Sequence, residues 1–529
     1  MARKRKEKPT IVEVDVSEIE GIIAATESGP LTPDQREKLL TTVRLLFTQI
    51  RSGKSTRKDS EKLERVLKAL AKKKDGDEGA AKDTETRPGH GRNGAAKFAG
   101  AKTVEVKHPE LIKGDKCPAC LPEKPGKVYP TSKPNVVIRL VGMSPIQATV
   151  YKMEVLRCNL CGQTFPAPAP EGIGEKKYDE SVPSMLAVLK YGSGMPRNRL
   201  AGLQGRLGIP LPQSTQWELL KKAADDLNVV LKEMHNQAAQ GDVLHNDDTS
   251  MKILKMERPP EDTRTGIFTS TIVSTSTEDK PRIALFFTGR QHAGENLRDI
   301  LKLRREGLET PTRMGDAASK NCPKDDAGLP MNADKANCLA HGRCYIVDAY
   351  KNFPDECRHI LEELSIVFVN DKLTKTNKMG PQQRLEYHQV HSRPVMDRLK
   401  TWMGLQLAEK KVEPNSVLGT AIRHLDKNWE PLTLFLRKPG CPIDNNIAER
   451  AMKKAVLNRK NAQFYRNQIG ADAGDLFMSL IHTCELNEIN PFEYLTELLR
   501  NASQINADNA ANWMPWTYRN NAGAPPRPS

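Results

Sequence analysis

Three acidic words stand out in a chain rich in Lys and Arg: His245-Asn246-Asp247-Asp248-Thr249, Met314-Gly315-Asp316-Ala317, and Pro442-Ile443-Asp444-Asn445-Asn446-Ile447-Ala448-Glu449-Arg450. The formal net charge is +15, with 81 Lys and Arg against 66 Asp and Glu. A basic chain is drawn to polyanions, and carboxylates within it have a chemical use: they hold divalent cations that bridge to phosphate oxygens. Phosphoryl transfer needs neutralised non-bridging oxygens and an activated nucleophile, and two cations about 3.5–4 Å apart provide both. Mg²⁺ (or Mn²⁺) takes carboxylate oxygens and keeps waters, so Asp247, Asp316 and Glu449 are enough to hold two ions. Each also has an ordinary role. Asp247 suits a turn, Asp316 a loop start, and Glu449 the positive end of a helix dipole.

A second kind of ligand chemistry lies upstream. Cys117-Pro118-Ala119-Cys120 and Cys158-Asn159-Leu160-Cys161 are two Cys-x-x-Cys knuckles separated by 37 residues. Four thiolates make a closed tetrahedral site, so Cys117, Cys120, Cys158 and Cys161 are expected to hold a structural Zn²⁺. Cys338, His341 and Cys344 have ligand-like spacing as well. No fourth ligand is evident near them, so His341 reads as a core or active-site-adjacent hydrogen-bonding residue.

The elements that must carry these groups follow from patterning. Residues 1–73 read as a basic tail and a helical or coiled-coil arm: Thr32 caps, Pro33 suits a first turn, and Leu39, Leu40, Val43, Leu46 and Phe47 recur at helical spacing. Residues 74–105 are a Gly-, Ala- and Lys-rich linker. Residues 106–170 form the zinc-ribbon segment, with strands expected at Val136–Leu140 and Ala148–Tyr151. Residues 175–240 are helical: Val182 to Tyr191, then Arg197 to Leu207, a Gly208–Pro212 break, and a helix opening with Ser214 and Thr215. That order resembles a helix-turn-helix.

From Val243 the pattern turns to strands, at 243–247, 266–275 and 282–288, then a helix near 295–302 and a strand ending near Asp316. Three strands, a helix and a strand open a ribonuclease-H-like α/β core over 241–354. Residues 355–440 read as an all-α insertion. Residues 441–484 return to the core with the Glu449 helix, where Asn445 and Asn446 are expected to cap, and 485–529 are a C-terminal helix and tail. The fold class is thus multidomain α+β. No apolar run of roughly 20 residues is present, so no membrane span is expected. The basic N-terminus lacks an apolar region behind it, which makes the cytoplasm the expected compartment.

These words resemble the insertion-sequence-66 family of bacterial transposases, from roughly Gly89 to Leu499. The resemblance rests on Gly89-His90-Gly91-Arg92, the zinc knuckles, Lys190-Tyr191-Gly192, Pro210 to Trp217, Asp247-Asp248-Thr249 and Cys338-Leu339-Ala340-His341. It continues through Asp444 to Arg450, Arg459-Lys460-Asn461 and Ile489-Asn490-Pro491. It implies an Asp-Asp-Glu site of Asp247, Asp316 and Glu449, with Asp247 rather than Asp248 as ligand. It further implies 3′-end cleavage and strand transfer with DNA as partner, both the terminal inverted repeats and the target. Arg450, Arg459 and Lys460 would meet phosphates, with Ser214 and Thr215 as further DNA contacts. A homo-oligomer on paired ends is expected, together with small accessory proteins of the same element.

The chain departs from the family in three places. Ala317-Ala318 follow Asp316 where Gly-Tyr is usual, Cys344 follows Arg343 where a basic pair is usual, and Asn321 to Asn337 reads as an added loop. Two other functions fit the same residues: a catalytically decayed DNA-binding regulator, and a nuclease or resolvase that cuts without joining. Metal-dependent nicking and strand-transfer products discriminate among them.

Overall fold

The computed structural model describes residues 109–115, 127–129, 143–157, 164–168, 170, 176–257, 264–276, 281–325, 327–329 and 331–520. The N-terminal arm, the linker and the four knuckle cysteines lie outside these residues, as does the strand expected at Val136–Leu140. Two short strands, β1 (Val155–Arg157) and β2 (Thr164–Pro166), pair antiparallel on either side of the sequence that carries Cys158 and Cys161. Ala148–Tyr151, expected as a strand, is coil. Its Val150 and Tyr151 side chains are exposed, so no packing surface rewards an extended pairing there.

Helix α1 (Ser181–Ala187) widens into a π turn at Val188–Gly192. That turn buries Lys190 and Tyr191, with the Lys190 ammonium 4.9 Å from the Tyr191 ring centre and Tyr191 stacked on Phe477 at 5.5 Å. Helix α2 (Arg197–Arg206) stops at Gly208, whose φ of +76° only glycine adopts freely, and Pro210 and Pro212 prevent resumption. Helix α3 (Gln213–Ala238) then buries Leu220, Ala223, Leu227, Val230 and Met234, spaced three or four apart. Its apolar stripe belongs to the same core as the central sheet.

The central sheet has five strands. Strand β3 (Val243–Ser250) is central; β5 (Phe268–Thr275) and β6 (Ile283–Gly289) follow antiparallel on one side. A short β4 (Ile253–Lys255) leaves the end of β3 to pair elsewhere. Helix α4 (Ala293–Leu301) returns the chain to β7 (Thr312–Gly315) and then β8 (Asp334–Asn337), both parallel to β3. The expected added loop at Asn321 to Asn337 is therefore corrected at its end. Its last four residues are the fifth strand, which the Lys- and Asn-containing sequence does not advertise.

Helix α5 (Leu339–Ala349) starts directly after β8. The helical insertion comprises α6 (Pro354–Thr376), α7 (Pro381–His391), α8 (Arg393–Ala408), α9 (Val417–Lys427) and the short α10 (Trp429–Leu432). All of these but α7 contribute to a second apolar core shared with Val243, Met314 and Ala336 of the sheet. Helix α11 (Asn446–Ala462), strand β9 (Tyr465–Asn467, paired with β4), α12 (Gln468–Leu486) and α13 (Pro491–Arg500) follow, and short 3-10 turns lie beyond them.

Alternation along β3 sorts the helices between the two faces of the sheet. Asp248 and Ser270, directly opposite each other, reach His292 and Asn296 at α4. On the other face Thr271, opposite Asp247, touches Met452 of α11. Along the outer edge of β6, α12 satisfies successive free amides. Thr483 Oγ1, Ser479 Oγ and Asp475 Oδ2 accept from the N–H groups of Ala284, Phe286 and Thr288. Side chains four apart on a helix rise about 6 Å, close to a two-residue strand repeat, so the match is geometric.

Candidate active site

Asp247 lies in the second half of β3, and Asp316 is the first residue past β7. The parallel register pairs His245 with Met314, so two residues further along both strands bring Asp247 and Asp316 side by side. Burial, reinforced by the charges of Asp316 and Asp248, pushes Asp247 up to about 6 despite a bond from the Asp248 amide. Two carboxylates this close, one of them buried, are a donor set that a divalent cation stabilises.

A buried polar frame holds Asp316. Arg313, 1% exposed, donates from Nε to Asn246 Oδ1 at 2.9 Å and from Nη1 to the Asp316 carbonyl at 3.0 Å. Asn246 in turn donates to the Asn321 carbonyl, and Asn321 Nδ2 donates to Asp316 Oδ1 at 2.8 Å. Gly315 permits this crowding, because a Cβ there would meet the Arg313 guanidinium and stand 2.8 Å from Asn246 Oδ1. Hence the Gly-Asp order in this word has a steric reason.

Asp248 is occupied elsewhere. Its carboxylate is 4% exposed, 2.7 Å from His292 Nδ1 and 2.9 Å from Lys320 Nζ. Asp247 has no such ion pair among the described residues.

Glu449 sits in the first turn of α11, its side chain 38% exposed. Asn445 locks the start of that helix to the central strand: its Nδ2 donates to the Asn246 carbonyl, its Oδ1 lies 3.1 Å from His245 Nδ1, and its own amide donates to Cys338 Sγ at 3.2 Å. Burial pushes His245 down to about 4, so the neutral ring donates through Nδ1 to Asn445. The expected capping role of Asn445 is thus corrected. It occupies the N-cap position, yet its side chain is spent on β3, and Asp444 Oδ1 receives the Asn446 amide instead.

The three carboxylates do not form one tight cluster. Among the described residues, Glu449 converges with Cys338 and His341, their ligand atoms all within 4.8 Å of one another. His341, 3.5 Å from Glu449 through Nδ1, is also near enough to favour ionisation of Asp247. Burial, with Glu449 nearby, raises the Cys338 thiol to about 11. A cleft of about 190 Å³ opens beside Asp316, lined by Cys338, His341, Tyr345, His424 and Leu432 where α5 meets the insertion.

Of the expected DNA contacts, Arg450 and Lys460 are exposed on α11, as is Ser214 at the start of α3; Thr215 is half-buried. Arg459 instead donates to Thr249 Oγ1, Ser250 Oγ and the Ser250 carbonyl, bracing the end of β3. Lys453, which the sequence reading passed over, is exposed between Arg450 and Lys460, and helical periodicity was the signal for it. Asn246, Arg313, Asn321 and His292 were missed because each acts through a tertiary contact with no local pattern.

A five-stranded mixed sheet with acidic residues at adjacent central strand ends, followed by many helices, is consistent with the ribonuclease-H-like DDE class of enzymes. The model of the family described as "Transposase IS66 family" matches residues 176–473, and the chain belongs to that family. Membership implies DNA transposition, and with it DNA binding and a divalent metal. Three relatives come from Sinorhizobium fredii (strain NBRC 101917 / NGR234). Uncharacterized protein y4hP is 24% identical over 70% of this chain and 68% of its own length. Uncharacterized protein y4jD is 29% identical over 35% of this chain and 36% of its own, and uncharacterized protein y4qI is 22% identical over 65% and 63%. Among the described residues no helix is long and apolar enough to cross a membrane.

Proposed function

We propose that this transposase binds the terminal inverted repeats of its insertion sequence, cleaves the 3′ ends and joins them to target DNA at one site built from Asp247, Asp316 and Glu449. The observation that carries this reading is the juxtaposition of Asp247 and Asp316 on neighbouring parallel strands, with Glu449 on the helix that packs across β3 and β5. Those three side chains would hold Mg²⁺ or Mn²⁺, whose contribution when bound is charge neutralisation at the scissile phosphate and a more acidic attacking oxygen. Arg313 fixes the Asp316 backbone through its carbonyl, Asn321 orients the Asp316 carboxylate, and Asn445 ties the Glu449 helix to the strand bearing Asp247. Arg450, Lys453 and Lys460 follow one exposed line of α11 and would receive the DNA backbone.

The Cys117, Cys120, Cys158 and Cys161 segment would be a zinc-held end-binding module; the β1–β2 pairing around the second knuckle supports it. Assembly of two ends would require a homo-oligomer, with accessory proteins of the element as further partners. The test is strand transfer with Mg²⁺ on end-containing DNA. Glu449→Gln should retain end binding and lose joining, whereas undiminished joining would remove Glu449 from the site.

A further inference from the structure

Cys338 is the residue just before α5, His341 lies three positions on, and Glu449 is in the first turn of α11. The pairing of the Asn445 amide with Cys338 Sγ, and of the Leu339 amide with the Ile443 carbonyl, clamps the two helix starts together. A thiol sulfur, an imidazole nitrogen and a carboxylate oxygen consequently meet within 4.8 Å of one another. His341 Nδ1 is shielded from solvent and has no hydrogen-bond partner among the described residues; Glu449 Oε1 is 3.5 Å away without hydrogen-bond geometry. Cys344, which sequence spacing groups with Cys338 and His341, is exposed and outside the cluster.

We infer that Cys338, His341 and Glu449 form a binding site for one thiophilic divalent cation of the Zn²⁺ type, and that its occupancy competes with the catalytic cation for Glu449. The donor set argues for this class of ion. Sulfur and imidazole suit Zn²⁺ and are poor ligands for Mg²⁺, which takes oxygen. Ligand bonds of about 2.0–2.3 Å need only a small closing of donors already this close, and three protein ligands leave a fourth position open. Glu449 drawn onto Cys338 and His341 is not available to the aspartate pair. Zn²⁺ would therefore hold the transposase inactive until Mg²⁺ or bound DNA reclaims the carboxylate. The competition rests on the function proposed above, but the binding does not.

The full-length protein is first given one equivalent of Zn²⁺ to fill the knuckle cysteines, then titrated with Co²⁺. The wild type should bind one further Co²⁺ with a thiolate-to-cobalt charge-transfer band in the near ultraviolet. Cys338→Ser should abolish that band, and His341→Ala, on a half-exposed helical position, should weaken Co²⁺ binding at least tenfold. Identical stoichiometry and spectra in all three proteins would overturn the site. In joining assays with Mg²⁺, Zn²⁺ at the concentration that fills the site should inhibit, with relief by excess Mg²⁺. Site filling without inhibition would overturn the competition. If Glu449→Gln joins as well as wild type, the proposed function fails, yet the cobalt result for Cys338 and His341 is read independently.

Discussion

At the residue scale, two adjacent aspartates in β3 meet different surroundings because strand neighbours point to opposite faces. Asp248 is a structural anion between His292 and Lys320. Asp248→Ala should therefore destabilise the fold by about 1–3 kcal/mol, the cost of leaving a buried polar partner unmet, measured by urea unfolding. Asp247→Asn should instead abolish joining, by on the order of 100-fold or more if it removes a charge used in the transition state. Its effect on stability has the reverse sign. The folded-state pKa of about 6 exceeds the ordinary 3.8, so the folded protein binds this proton more tightly than the unfolded chain. Stability from the group is full below about pH 4 and is lost as pH rises through about 6. In metal-free protein, Asp247→Asn should thus be more stable than wild type at pH 7, by about 1–2 kcal/mol after allowance for solvent screening, and equal to it near pH 4. Thermal melts at the two pH values read this directly; a variant equally or less stable at pH 7 would contradict the uncompensated-pair argument.

At the element scale, the notable device is the α12 ladder that covers the edge of β6. An unpaired edge offers a template for foreign strands, and Thr483, Ser479 and Asp475 cover it with acceptors at every second amide. Ser479→Ala removes one acceptor and leaves the Phe286 N–H buried, at an expected cost of about 1–3 kcal/mol. Burial raises Asp475 to about 8, so its carboxyl is largely protonated at neutral pH while Thr288 donates to it. This ladder was not legible beforehand. The Asp475-Ser479-Thr483 spacing is helical, but nothing local says that a strand edge will lie beneath it. By contrast α3, β3, β5 and β6 were legible within a few residues, since apolar periodicity and β-branched runs reflect burial that the chain must achieve locally. β8 was not, because its pairing with β7 comes from the sheet rather than from its own residues.

At the scale of the whole molecule, a net charge of +15 makes DNA association electrostatic and salt-dependent. The exposed line of Arg450, Lys453 and Lys460 should carry part of that dependence. Replacing all three with Ala should reduce the slope of log K against log salt by about 2–3, roughly one unit per lost phosphate contact. Arg459→Ala should leave the slope nearly unchanged and loosen the end of β3 instead, since its guanidinium is committed to Thr249 and Ser250. Equal slopes for the triple variant and wild type, measured by fluorescence anisotropy, would separate this helix face from DNA binding.

The sequence by itself determined the identity of the acidic words, most of the core strands and helices but not β8, and the resemblance to one transposase family. These depend on residue types and on periodicities that short-range sterics and burial impose. Only the tertiary structure decided which acidic groups meet. It set Asp247 beside Asp316 through strand register, committed Asp248 to His292 and Lys320, turned Asn445 from a cap into a tie, and gave Glu449 two neighbours, Cys338 and His341. The reason is physical: a carboxylate's chemistry depends on the charges and donors within a few ångströms, and here those come from residues up to two hundred positions away.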